Sequence, residues 1–86
     1  MAEYTITFAR SASKELEALD ATIANRVFPK IEALAREPRP AGCRKIQGGQ
    51  NLWRIRVGDY RVIYGVYDEE PRVDIVAVRH RSRAYE

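Results

Sequence analysis

Eighty-six residues with one cysteine and one histidine exclude an internal disulfide framework and make a structural zinc site improbable. The chain is 45% apolar and 31% charged, enough for one small two-layer core and unlike a disordered tail. Its net charge of +3 is uneven: residues 1–35 hold four basic and five acidic side chains (−1), residues 36–86 eleven and seven (+4), and ten of those eleven are arginine.

No window approaches the ~18 consecutive apolar residues of a membrane span, and Met1-Ala2-Glu3-Tyr4 is not a basic region followed by an apolar run. A cytoplasmic protein without a membrane partner is expected. In chain order, Tyr4-Thr5-Ile6-Thr7-Phe8 alternates apolar and polar and predicts a half-buried strand. Ser11 or Ser13 is expected to cap a short helix with Ala12, Leu16 and Leu19 on its inner face. Asp20-Ala21-Thr22 reads as a break and a fresh cap. Ile23, Val27, Ile31 and Leu34 then line a second helix, with Ala24, Phe28 and Ala35 broadening the stripe. Pro29 inside it must kink the helix or loosen one turn, because it cannot donate to the carbonyl of Asn25. So short a joint predicts an antiparallel helical hairpin.

Glu37-Pro38-Arg39-Pro40 ends the second helix. Arg44-Lys45-Ile46 reads as a short edge strand in a glycine-rich segment. Three strands follow, at roughly 51–57, 60–68 and 72–80, turning at Gly58-Asp59 and Glu69-Glu70-Pro71. Joints this short make them antiparallel neighbours. The run Val73-Asp74-Ile75-Val76-Ala77-Val78 predicts a central strand covered on both sides. The fold class expected is α+β: one domain, residues 1–86, with an N-terminal strand and a helical hairpin packed on a small antiparallel sheet.

The chemistry concentrates in the strands. Strand alternation puts Arg54 and Arg56 on one side and Trp53, Ile55 and Val57 on the other. Two adjacent guanidinium groups repel unless an anion lies near them, and arginine's planar fork suits phosphate. Arg61, Arg79 and Arg81 stand at neighbouring strand ends, so a concave polyanion site is expected. Tyr60, Tyr64 and Tyr67 are read as cross-strand packing. His80 is the one side chain whose ordinary pKa suits proton transfer near neutrality, but alternation turns it away from Arg81, so a capping or packing role is expected. Cys43 reads as a buried or half-buried small apolar residue, and Glu15, Glu17 and Glu32 as solvated helix positions. No paired carboxylates suggest a metal-dependent nuclease.

Leu52-Trp53-Arg54-Ile55-Arg56-Val57-Gly58-Asp59-Tyr60-Arg61-Val62-Ile63-Tyr64 and Val78-Arg79-His80-Arg81-Ser82-Arg83-Ala84-Tyr85 resemble the RelE branch of the RelE/ParE toxin superfamily. The Pro38-Arg39-Pro40 stop and the Arg44-Lys45-Ile46-Gln47-Gly48 lead-in are similar to it as well. The resemblance implies the toxin of a bacterial type II toxin–antitoxin pair, with a fold like that of small microbial ribonucleases. It implies a ribosome-dependent endoribonuclease that cuts mRNA in the A site without a metal or other cofactor and leaves a 2′,3′-cyclic phosphate. The catalytic positions carried over are Arg54, Arg56, Arg61, Arg81 and Tyr85, with Arg44, Lys45, Arg79 and Arg83 as further RNA contacts. Where this chain has Arg54 and Arg56, members of the family often have lysine. Arginine stays protonated, so these two are expected to bind phosphate rather than act as base. The expected partners are the ribosome, mRNA and an antitoxin with a disordered acidic and apolar segment. The alternative within the superfamily is a ParE-like toxin that binds DNA gyrase and has no nuclease chemistry.

Overall fold

A computed structural model describes residues 3–83. The elements in order are β1 (Thr5–Phe8), α1 (Arg10–Glu17), α2 (Ala21–Ala33), β2 (Arg44–Lys45), β3 (Leu52–Val57), β4 (Tyr60–Tyr67) and β5 (Arg72–His80), then one 3₁₀ turn at Arg81–Arg83. The strands form a single sheet in the order β1-β5-β4-β3-β2.

The four later strands are antiparallel neighbours, as their short turns require. β1 instead pairs parallel with β5, Ile6 opposite Val73, so the sheet is mixed rather than wholly antiparallel. A tight turn dictates direction only between strands adjacent in sequence. Nothing of that kind links β1 to β5.

The core lies between the helices and one sheet face. Ala12 and Leu16 of α1 and Val27 and Ile31 of α2, with Leu34 beyond it, meet Ile55, Val57, Val62, Tyr64, Val66, Val73, Ile75 and Val78. Phe28, expected in that stripe, is 42% exposed. It follows Val27 by one residue, about 100° around the helix, and so turns off the sheet. The cap expected within Asp20-Ala21-Thr22 is Asp20, whose carboxylate accepts from the Ile23 N–H at 3.0 Å. Helix α2 runs through Pro29, and Asn25 and Pro29 are both exposed, so the unpaired Asn25 carbonyl lies on a wet side.

The cap expected at Ser11 or Ser13 is absent: Ala9 precedes α1 without a side-chain bond. β1 pairs with β5 only over Arg72–Ile75, which leaves the rest of that edge open. The Ser11 hydroxyl donates to the Val76 carbonyl at 2.9 Å, and Glu15 accepts from the Val78 N–H at 2.9 Å. One turn apart on α1, these two side chains satisfy the backbone groups that β1 leaves unpaired.

The apolar run of β5 has a further cause. Ile63 faces Ala77 while Tyr64 faces Ile75, so a bulge at Val76 breaks the alternation. Ile75 and Val78 therefore both reach the core, and Ala77 lies on the outer face opposite Ile63.

Candidate polyanion-binding face

Directly opposed residues in a sheet share a face, with Cβ atoms about 4.5–5.5 Å apart. Arg56 opposes Arg61, and Arg61 opposes Arg79, so an arginine row crosses β3, β4 and β5. A second row runs Arg44, Arg54, Ile63 and Ala77. These two rows place five arginines from four strands on the outer face. Ile55, Val57 and Val62 alternate with them and anchor the strands in the core. The row sits at the Gly58-Asp59 end of the sheet. There Gly58 adopts φ 61, the positive first position of a two-residue hairpin loop. The Asp59 carbonyl accepts from the Arg81 N–H at 2.7 Å, tying the exposed Arg81 to the same end.

The opposite end of this face is neutralised. Arg72 lies 4.5 Å from the Tyr67 ring centre and reaches Glu70 at 3.4 Å and Asp74 at 3.9 Å. The Thr7 hydroxyl donates to Asp74 at 2.7 Å. At the arginine end the pairing is thinner. Arg56 is exposed and makes no hydrogen bond or ion pair among the described residues. Arg61 is half-buried, its Nη1 donates to the Tyr60 carbonyl at 3.3 Å, and its Nε is buried without a partner. Leaving a buried donor unsatisfied costs about 1–3 kcal/mol. Opposed like charges of this kind favour a nearby anion.

Arg79 is paired, for its Nε donates to Glu15 at 3.0 Å. Glu15 is thus not the solvated helix position expected from its sequence context. It is 30% exposed and bridges Val78 and Arg79. The sequence offered no local signal for this, because the partners lie 63 and 64 residues away.

Lys45 is exposed, but it opposes Trp53 and so lies on the other sheet face from the arginines. Tyr85 and the Arg83 side chain lie outside the described residues. His80 opposes Tyr60 on the helix side, ring edge to face at 5.5 Å, with its Nδ1 3.0 Å from the Ser82 hydroxyl. It borders a cleft of about 360 Å³ shared with Asp20, Arg26 and Asp59, away from the arginine row. The three strand tyrosines pack: Tyr64 is wholly buried, Tyr60 lies against the core, and Tyr67 is half-buried beneath Arg72. Cys43 is half-buried beside the Tyr64 phenol.

The fold is shared with known proteins, and the comparisons define the class: a small toxin of the RelE/ParE superfamily, the toxin half of a type II toxin–antitoxin system. Residues 6–85 match the family described as ParE toxin of type II toxin-antitoxin system, parDE, and the chain belongs to that family. A putative RelE-like toxin protein of Escherichia coli is 29% identical over 83 residues, spanning 94% of this chain and 86% of that protein. The archaeal RelE of the RelE-RelB complex from Pyrococcus horikoshii superimposes with a TM-score of 0.82 at 30% identity, covering 95% of this chain and 99% of that one. The isolated Escherichia coli RelE toxin gives 0.81 at 26% identity, covering 95% and 88%.

Proposed function

We propose that this toxin is a ribosome-dependent endoribonuclease that cleaves mRNA in the A site by attack of a 2′-hydroxyl on the adjacent phosphorus. The 5′-oxygen leaves and a 2′,3′-cyclic phosphate remains. The observation that carries the reading is the row Arg56–Arg61–Arg79 with Arg54 beside it, where the buried Arg61 Nε lacks an acceptor. A phosphate beside the exposed Arg56 and half-buried Arg61 would neutralise the charge of these opposed guanidinium groups.

In this reading Arg54, Arg56 and Arg61 hold the scissile phosphate and stabilise the charge of the phosphorane. Arg81 neutralises the leaving 5′-oxygen, and Tyr85 stacks on or orients the nucleotide. Arg44, Arg79 and Arg83 contact flanking phosphates, and Lys45 contacts RNA that passes the β2 edge. The 2′-proton passes to water rather than to an arginine, and the leaving 5′-oxygen takes a proton from water, so the protein's contribution is charge and placement, with the ribosome holding the mRNA near in-line. The reaction needs no metal or other cofactor from the toxin. The protein works in the cytoplasm, and a cognate antitoxin holds it inactive, as RelB accompanies RelE in the solved relatives.

Primer extension on ribosome-engaged mRNA tests this reading. Arg61→Ala and Arg81→Ala should each lower cleavage by about 10²–10³-fold, the usual effect of removing one charge-stabilising donor. Cleavage that persists in both refutes the site. The family's ParE description supports a second reading, a gyrase-directed toxin. Inhibited supercoiling with intact mRNA would establish that instead.

A further inference from the structure

Glu15 joins the covered edge of β5 to the arginine row. Its Oε1 accepts from the Val78 N–H at 2.9 Å, and its Oε2 accepts from Arg79 Nε at 3.0 Å. The first bond anchors the carboxylate to the sheet whatever Arg79 does. The second occupies the guanidinium that opposes Arg61. Both side chains keep about a third of their surface in water, 30% for Glu15 and 33% for Arg79, so a solution anion can reach the pair. A carboxylate oxygen and a phosphate oxygen compete for the same planar donor fork.

We propose that Glu15 is a positioning residue that acts as an internal counter-anion, holding Arg79 at the sheet edge until a nucleic-acid phosphate displaces it. The inference rests on the polyanion reading of the outer face and adds a brake to it. Arg79 is withheld from weak or wrongly placed anions. Because the Val78 bond keeps Glu15 in place, it recaptures Arg79 when the anion leaves. The residue thereby lowers affinity for free RNA while leaving Arg54, Arg56 and Arg61 to bind the scissile phosphate.

The test uses the intact protein and a single-stranded RNA oligonucleotide, with dissociation constants measured across a salt series. Glu15→Gln keeps an acceptor for the Val78 N–H but removes the charge, and should free Arg79 for one more phosphate. The slope of log affinity against log salt should then steepen by about 0.7. Glu17→Gln on the same helix makes the same change in net charge and should steepen it far less. In an Arg79→Ala background, Glu15→Gln should add no steepening. A purely structural Glu15 would change the melting temperature and leave the slope alone. An unchanged slope, an equal effect from Glu17→Gln, or a gain that survives without Arg79 overturns the proposal. Retention on heparin, a sulfated polyanion, reads the same release without presupposing RNA. If wild type cuts no mRNA, yet Glu15→Gln raises retention only when Arg79 is present, the proposed substrate fails and the Glu15 brake stands.

Discussion

Arg61→Met should stabilise this protein while removing its proposed activity. Arg61 lies directly between Arg56 and Arg79, and its Nε is buried without an acceptor. Like charges directly opposed in a sheet cost about 0.2–1 kcal/mol per pair, and the Arg79 share is reduced by Glu15. The unpaired Nε adds about 1–3 kcal/mol, offset by roughly 1 kcal/mol for the lost bond from Nη1 to the Tyr60 carbonyl. The balance favours methionine, which keeps the stem's packing, by about 1–2 kcal/mol. For a domain of this size that is a rise of about 5–15 °C in melting temperature.

Thermal denaturation at about 0.05 M and about 1 M salt separates the two contributions, because screening falls to about 3 Å at the higher value. The part due to Arg56 and Arg79 should shrink at high salt, and the part due to the orphaned Nε should remain. A melting temperature below wild type at both salts refutes the reasoning. It would mean that Arg61 is held by favourable contacts and that the row is not a strained anion site.

Tyr64→Phe removes a hydroxyl that donates to the Pro38 carbonyl at 2.8 Å inside the core, and should lower stability by about 1–3 kcal/mol, read as a urea midpoint shift at constant slope. Burial, with Cys43 beside it, pushes the Tyr64 phenol above its ordinary value, so its contribution is intact below about pH 10 and falls as pH rises beyond it; the wild-type advantage over Tyr64→Phe should narrow there. The Arg39 guanidinium, and next the Tyr4 hydroxyl, hold the Asp68 carboxyl down at about 2. That contribution is present above the ordinary carboxylate range and is lost as pH falls toward about 2, so melting curves of wild type and Asp68→Asn should differ near neutrality and converge in acid. Gly58→Ala places a Cβ at φ 61 and 3.4 Å from an Arg26 nitrogen, and should cost about 1–2 kcal/mol by urea titration.

How far the sequence carried the fold depended on the range of the interaction that decides each feature. The side on which Arg54 and Arg56 project follows from strand alternation, and the Gly58-Asp59 turn fixes their register against Arg61. Both are local, and both were legible. The parallel pairing of β1 with β5 was not, because no turn connects those strands. Ser11 looked like a cap because it precedes a helical pattern, yet its hydroxyl goes to the edge of β5. The resemblance grouped Lys45 with Arg44 as RNA contacts, although alternation separates them once β2 is registered on β3. The bulge at Val76 turns both Ile75 and Val78 to the core, and Ala77 on the outer face is also only 2% exposed, so the strand is largely covered on both sides as its apolar run predicts.

Glu15 shows why fold and site cannot be dissected independently here. β1 covers only the first part of the β5 edge, so α1 must present hydrogen-bonding side chains to the remainder. A neutral acceptor would also satisfy the Val78 N–H, by a weaker bond. A carboxylate in that place also meets Arg79, the outermost member of the arginine row, and sets how much of the row's charge is available. The row in turn depends on the β3–β4 hairpin loop, whose Asp59 carbonyl draws Arg81 to the same end. Two backbone requirements, a covered edge and a tight turn, therefore fix the two ends of the proposed phosphate path. Glu15→Ala should lose both functions at once, whereas Glu15→Gln should lose only the electrostatic one. The difference between those two variants, in melting temperature against salt slope, measures how much of the edge bond serves the fold and how much serves the site.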